Sequence, residues 1–321
     1  MKWIGKFRRK PYSGNNAWLI LLIVSAFFTV LSDKFLTINN VRNILSQNAY
    51  VIIVMYGVFF YLLAGSVDLS VGYQISVIGI ITGFLLTETS IPVWLVVLLT
   101  IGCGIFLSLI NGFLSICLKQ PLMVVSLGTM TCYQGLSYVL SNSRTISGFP
   151  AAFKNIGQYN IAGVLPVTII YIVVLYFLVW YILNNTYFGR FIYALGNNEQ
   201  AFALSGNSVV KIKLLISGIA GLFIGLGSLV FTARLGSSNS TNGPGTELTV
   251  LTGILLGGVS LNGAKGKISG ALAGILVLSA ISNGMQLAGF GSNAQYIVKG
   301  LILLVAVGND AYRKDIKTKR A

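Results

Sequence analysis

Asn184 to Lys213 reads NNTYFGRFIYALGNNEQAFALSGNSVVKIK, a polar stretch set between two apolar blocks. From Gly189 to Leu195 the order is Gly-Arg-Phe-Ile-Tyr-Ala-Leu, and after Gly196-Asn197-Asn198 a second short segment, Glu199 to Leu204, runs up to Ser205-Gly206. This pattern predicts a short helix opened by an asparagine cap and closed by glycine. Asn198 can accept from the free amides of the first turn, and Glu199 places a negative charge at the positive end of the helix dipole. The segment is too short to span a bilayer and its caps are too ordered for a slack linker. Flanked by Arg190, Lys211 and Lys213, it is expected to be a docking element facing the cytoplasm; the plainer alternative is a loop that only joins two spans.

Outside that stretch the chain reads as membrane. Its 321 residues are 55% hydrophobic and 9% charged, with a mean hydropathy of +0.82, which excludes an ordinary soluble domain. Apolar runs of about span length recur without amphipathic faces, and they lack the short alternation of a membrane barrel, so an all-α polytopic membrane protein is expected. The spans are read at 17–31, 48–64, 73–87, 91–118, 122–140, 161–183, 214–233, 248–261, 268–290 and 294–309. That makes about ten transmembrane helices. Residues 1–16 form a basic arm, 17–309 a single transmembrane domain that includes the loop 184–213, and 310–321 a basic tail.

Charge sets the orientation. The arm carries Lys2, Lys6, Arg8, Arg9 and Lys10, and the tail Arg313, Lys314, Lys317, Lys319 and Arg320. Both termini are therefore expected to be cytoplasmic. Alternation then adds Lys119, Arg190, Lys211, Lys213, Lys265 and Lys267 to the inside, giving 16 of the 22 basic residues. Lys34, Arg42, Arg144, Lys154 and Arg234 fall outside, and Lys299 lies within the last span. The net charge of +15 is thus spread over membrane flanks rather than gathered with aromatics, which argues against nucleic-acid binding. No small-residue cleavage pattern ends the first span before Asp33-Lys34, so it is an anchor rather than a signal peptide.

Several chemistries drop out. Without histidine there is no Ser/His triad and no histidine metal site. Cys103, Cys117 and Cys132 fall in apolar runs with no metal-site spacing and read as packing residues. No metal site is expected. Gly257 to Gly266 tempts a phosphate-loop reading, but Leu261 stands six residues before Lys267 and Ile268 replaces the required Ser or Thr. The chain is not expected to bind ATP itself or to be an enzyme.

Two glycine-bracketed breaks interrupt the apolar runs. The first, Ala64-Gly65-Ser66-Val67-Asp68-Leu69-Ser70-Val71-Gly72, holds an acid at bilayer depth, which is costly and usually marks function. Two roles stand open for Asp68: a cap on the following helix, or a place on a transport path. Glu247, after the glycine- and serine-rich stretch 236–246, poses the same choice. The second break, 257–266, shares Gly-x-Val-x-Leu with the first, and matched interruptions suggest an internal repeat. Asn48, Gln74, Asn111, Gln134, Asn283, Gln286 and Gln295 lie within spans. Their amides suit a neutral polar pathway, or else join helices to one another.

Taken together, Phe35-Leu36-Thr37-Ile38-Asn39-Asn40, the Ala64–Gly72 break, Ser126-Leu127-Gly128-Thr129-Met130, Phe188-Gly189-Arg190 with Ala194-Leu195-Gly196 and Ser205-Gly206, and Leu256-Gly257-Gly258-Val259-Ser260-Leu261 come in the order of a known family. The chain resembles the ribose- and galactose-type permease subunits of bacterial ABC importers, from about Phe35 to the basic tail. The resemblance implies a multi-pass protein of the bacterial inner membrane that imports a monosaccharide. It implies three partners: a second permease copy or paralogue, an extracytoplasmic sugar-binding protein, and a sugar-type ATPase with tandem nucleotide-binding domains that holds ATP and Mg. Loop 184–213 would be the coupling loop, with Arg190, Gly196, Asn198, Glu199, Ala201, Ser205 and Gly206 as coupling residues. Asp68, Gln74, Asn111, Gln134, Asn283 and Gln286 are the pathway candidates. Departures from the family pattern are Gly196-Asn197-Asn198 in place of paired glycines, Thr249 in place of an acid, and Ala264 in place of glycine. The rival readings are a permease for autoinducer-2, a nucleoside or a branched-chain amino acid, and an ion-coupled secondary transporter.

Overall fold

A helix apolar on every face has to be surrounded by other helices, and every residue from Val51 to Leu63 is buried. In the computed structural model, which describes residues 15–318, this run is the second half of a central helix. The order is α1 (Asn15–Leu31), α2 (Ile38–Leu63), α3 (Val71–Thr87), α4 (Val93–Cys117), α5 (Leu122–Ser141), α6 (Ala151–Gln158), α7 (Val167–Asn185), α8 (Tyr187–Asn197), α9 (Glu199–Leu204), α10 (Val209–Leu235), α11 (Thr246–Leu256), α12 (Ile268–Leu287) and α13 (Ser292–Thr318). Two-residue strands pair as β1 (Ile146–Ser147) with β4 (Ser237–Ser238), and as β2 (Asn160–Ile161) with β3 (Leu165–Pro166). Most of the basic arm and residues 319–321 lie outside the described residues.

Each span read from the sequence falls on a helix, namely α1 to α5, α7 and α10 to α13. Five of these, α2, α4, α7, α10 and α12, are long and apolar enough to cross a membrane, and four shorter stretches, 16–31, 71–87, 246–256 and 292–308, are apolar. The chain is a polytopic membrane protein. Several boundaries need correction. The helix read from 48 begins at Ile38, opened by the Thr37 hydroxyl that accepts from the Asn40 amide, and the last, read to 309, runs on to Thr318. The span begun at 161 starts instead at Val167, because Asn160 to Pro166 folds into a hairpin turned by Ala162 and Gly163 at φ 52° and 69°. The span ended at 261 stops at Leu256, where Gly258 at φ 84° cannot continue a helix. Cys117 and Cys132 are exposed and Cys103 half-buried, so two of the three are not packing residues within this chain.

α2 and α10 cross antiparallel: Gly57 faces Ala220 and Phe223, whereas Gly227 faces Val54 and Tyr50. α3 lies along α10, with the Ser228 hydroxyl donating to the Ile75 carbonyl at 3.0 Å. α3 packs on α4 and α5 as α11 packs on α12 and α13, and α11 lies against α2 as α3 lies against α10. The short helices α3 and α11 begin side by side. The Gly243 amide donates to the Ser76 hydroxyl at 3.1 Å, and a Cβ on Gly243 would fall on the Gly72 carbonyl.

This corrects the expected match between breaks. The segment that brings a helix start to face α3 is 236–245, not 257–266. Residues 257–267 join α11 to α12, and their glycines serve a close crossing with the end of α2: Gly65 lies against Asn262 and Gly263. The two glycine runs, one after α2 and one after α11, meet where Gly65 lies against Asn262 and Gly263.

The α3/α11 crossing gives a stability prediction. Gly243→Ala drives a methyl into backbone that no side-chain rotation can relieve, and is expected to cost about 1–3 kcal/mol or more. A lowered unfolding midpoint of the purified protein in detergent is the readout.

Candidate functional site

The loop between α7 and α10 is almost wholly helical. The Thr186 hydroxyl accepts from the Gly189 amide at 3.2 Å and opens α8. The Asn198 side chain accepts from the Ala201 amide at 2.9 Å and opens α9, which ends at Ser205 with Gly206 at φ 82°. α9 buries one side chain, Phe202, whose ring meets Phe191 edge-on at 5.7 Å. Glu199 accepts from Lys213, in the second turn of α10, at 2.7 Å. On the outer side the Arg190 guanidinium lies 4.4 Å over the Tyr187 ring. Tyr187 is 75% exposed and Leu204 89%, and Ala201, Ser205 and Gly206 are exposed beside them.

The inner side of α8 is locked to the membrane helices by backbone. A Cβ on Gly196 would land on the Leu63 carbonyl oxygen, with the Ala264 amide 2.9 Å away. That amide donates to the same Leu63 carbonyl at 2.8 Å. Gly263 sits within 2.9 Å of both the Gly65 amide and the Gly196 carbonyl, measured from its Cβ position. The Tyr193 hydroxyl donates to the Gly266 carbonyl at 3.3 Å, and burial pushes the pKa of this phenol up, keeping it a neutral donor. From the same connection, the Ser260 hydroxyl and the Leu261 amide both donate to Asp310 of α13 at 3.2 Å. One junction therefore joins α8 to the end of α2, to the α11–α12 connection and, through it, to α13.

The pathway candidates separate into groups. Asp68, 2% exposed, accepts from the Ser70 amide (2.8 Å) and hydroxyl (2.7 Å) on one oxygen, and from the Gln74 and Asn111 amides on the other, both at 3.0 Å. Gln74 in turn accepts from Ser108 at 2.9 Å, and Asn111 from the Tyr133 hydroxyl at 3.1 Å. The network ties α3, α4 and α5 together and spends the amides of Gln74 and Asn111 on the carboxylate. Asn283 exchanges two amide hydrogen bonds with Asn40, at 2.8 and 3.1 Å, clasping α12 to the first turn of α2. Gln286, exposed one turn further on, lines a polar cavity together with Asn283, and Gln134 is half-buried on α5.

Residues 40–307 match the family model described as branched-chain amino acid transport system / permease component. The ribose import permease protein RbsC of Haemophilus influenzae is 34% identical over 301 residues, covering 92% of this chain and 93% of that protein. The chain belongs to this permease family. The L-arabinose transport system permease protein AraH of Escherichia coli K12 is also 34% identical, over 93% of this chain and 89% of its own length. The D-allose permease AlsC of the same strain is 30% identical over 94% of both chains. No solved structure matches the chain.

Within this permease the sequence could point to α9 because caps are local: acceptor and amide are three residues apart. It could not point to Lys213 as the partner of Glu199, 14 residues away, nor to Leu63 and Ala264 around Gly196. Those contacts join segments more than 60 residues apart, and the only sequence signal is that Gly196 and Gly263 carry no side chain.

Proposed function

We propose that this chain is the membrane-spanning permease subunit of an ATP-driven importer that translocates a ribose- or galactose-like monosaccharide. The reading rests on identity of 34% over 92% of the chain to a protein named as a ribose import permease, with arabinose and allose permeases beside it. It places residues 17–309 in a bacterial inner membrane as one domain of ten crossings with both termini cytoplasmic. α2 to α5 and α10 to α13 are then two halves of inverted orientation, since α2 and α10 run antiparallel with like neighbours. A second permease copy, an extracytoplasmic binding protein and a tandem ATPase holding ATP and Mg complete the machine.

Loop 184–213 is the coupling element. Its outer face, Tyr187, Arg190 and Leu204, docks on the ATPase, while Gly196 on its inner side moves with α2 and the α11–α12 connection. Differential contacts with the two ATPase states then shift the membrane helices between open directions, since a partner that binds both states equally shifts nothing. The sealed environment of Asp68 supports ATP drive over ion coupling, because every acceptor site it offers is met by a neutral or backbone donor.

The test is uptake of labelled monosaccharides into proteoliposomes containing the permease with its ATPase and binding protein. ATP-dependent accumulation of one sugar supports the reading, and accumulation without ATP opposes it. Glu199→Arg, which breaks a half-exposed ion pair of small stability value but sets like charges against Lys213, is expected to leave folding nearly unchanged and to cut uptake about tenfold.

A further inference from the structure

A polar cavity of about 370 Å3 opens between α2, α10, α12 and α13. Arg234, in the last turn of α10, and Lys299, in the second turn of α13, both line it. Each is half-buried, and among the described residues neither side chain makes an ion pair or hydrogen bond. Beside them stand the amides of Gln47, Gln286 and Gln295, and no carboxylate lines the space. Four of the chain's acids are held by other partners. Asp68 is held by Ser70, Gln74 and Asn111, Glu199 by Lys213, and Asp310 by Ser260 and Leu261. Glu247 turns onto the Gly245 amide at 3.0 Å. One wall is the Tyr50 ring stacked on Phe231 at 4.0 Å.

Two cations facing one partly desolvated space lose hydration, which is costly inside a membrane protein unless an anion answers them. Oxyanions, carboxylate and phosphate alike, are the ligands that guanidinium and ammonium groups bind most strongly, and free amides add donors to the same oxygens. We propose that this cavity is a binding site for an oxyanion, a carboxylate or phosphate group held between Arg234 and Lys299. The group belongs either to a soluble sugar acid or phosphate, or to the headgroup of an anionic lipid. Neither source follows from the importer reading, and the site stands or falls apart from it.

Two arms distinguish the sources. The full-length permease in phosphatidylcholine nanodiscs is titrated calorimetrically with glucuronate, with inorganic phosphate and with glucose. In parallel, native mass spectrometry compares retention of phosphatidylglycerol with that of phosphatidylcholine. Heat from glucuronate or phosphate but not glucose supports the site with a soluble ligand; selective retention of phosphatidylglycerol supports it with a lipid. In whichever arm binds, Lys299→Gln and Arg234→Gln are each expected to weaken binding about tenfold or more, with Lys299→Arg restoring it. Absence of anion binding in both arms of the wild type overturns the proposal, as does binding that neither Gln variant alters.

Discussion

Gly196→Val is expected to reduce ATP-dependent sugar uptake at least about tenfold, the equivalent of about 1.4 kcal/mol in a coupling equilibrium, while the protein still inserts in the membrane. The reason lies in what surrounds this position. The new Cβ would fall on the Leu63 carbonyl oxygen, whose other neighbour is the Ala264 amide that donates to it. Three pieces of backbone meet there, and none has a rotamer to change. Accommodation requires α8 to lift away from α2 and from the α11–α12 connection, which would separate the proposed docking face of Tyr187, Arg190 and Leu204 from the helices it is proposed to move. The control is one residue on: Asn197 is exposed, and Asn197→Val is expected to keep uptake within about twofold. Uptake by Gly196→Val that equals wild type would show that coupling does not run through this junction.

Asp68→Ala carries the largest expected stability loss. It leaves the Ser70 amide and hydroxyl and the Gln74 and Asn111 amides without their acceptor in a site 2% exposed. Removing one side of such a buried network costs about 3–5 kcal/mol. Asp68→Asn retains one carbonyl oxygen and is expected to lose part of that, because its NH2 faces other donors. A fall in unfolding midpoint in the order wild type, Asn, Ala identifies Asp68 as the cap and tie of α3, α4 and α5. A midpoint unchanged in Asp68→Ala together with abolished uptake would instead put the carboxylate on the transport path.

The helical spans were legible because a bilayer leaves few alternatives for long apolar runs, and α9 because Asn198 and Gly206 act on their own neighbours. Segment 236–245 was not: it read only as a glycine- and serine-rich stretch before Glu247, and its packing on Gly72 and Ser76 is what reveals that it sets the start of α11 against α3. The echo between 64–72 and 257–266 misled for a related reason. The two runs pack on each other at Gly65, Asn262 and Gly263, whereas the segment that meets the start of α3 is 236–245. Among the polar candidates, Gln74, Asn111 and Asn283 look alike as letters, yet the first two serve Asp68 and the third serves Asn40. Arg234 was assigned to a membrane flank and Lys299 to the last span, and their shared cavity depends on the packing of four helices, which no local pattern encodes.

The central claim is that this chain transmits the work of a separate ATPase to a sugar path. The most direct measurement is ATP hydrolysis by the permease reconstituted in lipid with its ATPase, with and without sugar-loaded binding protein. The account predicts that the loaded binding protein raises hydrolysis in the wild type, and that the rise is lost in Gly196→Val although the complex still forms. Failure of any ATPase to associate, with the purified chain alone carrying solute down an ion gradient, would contradict it.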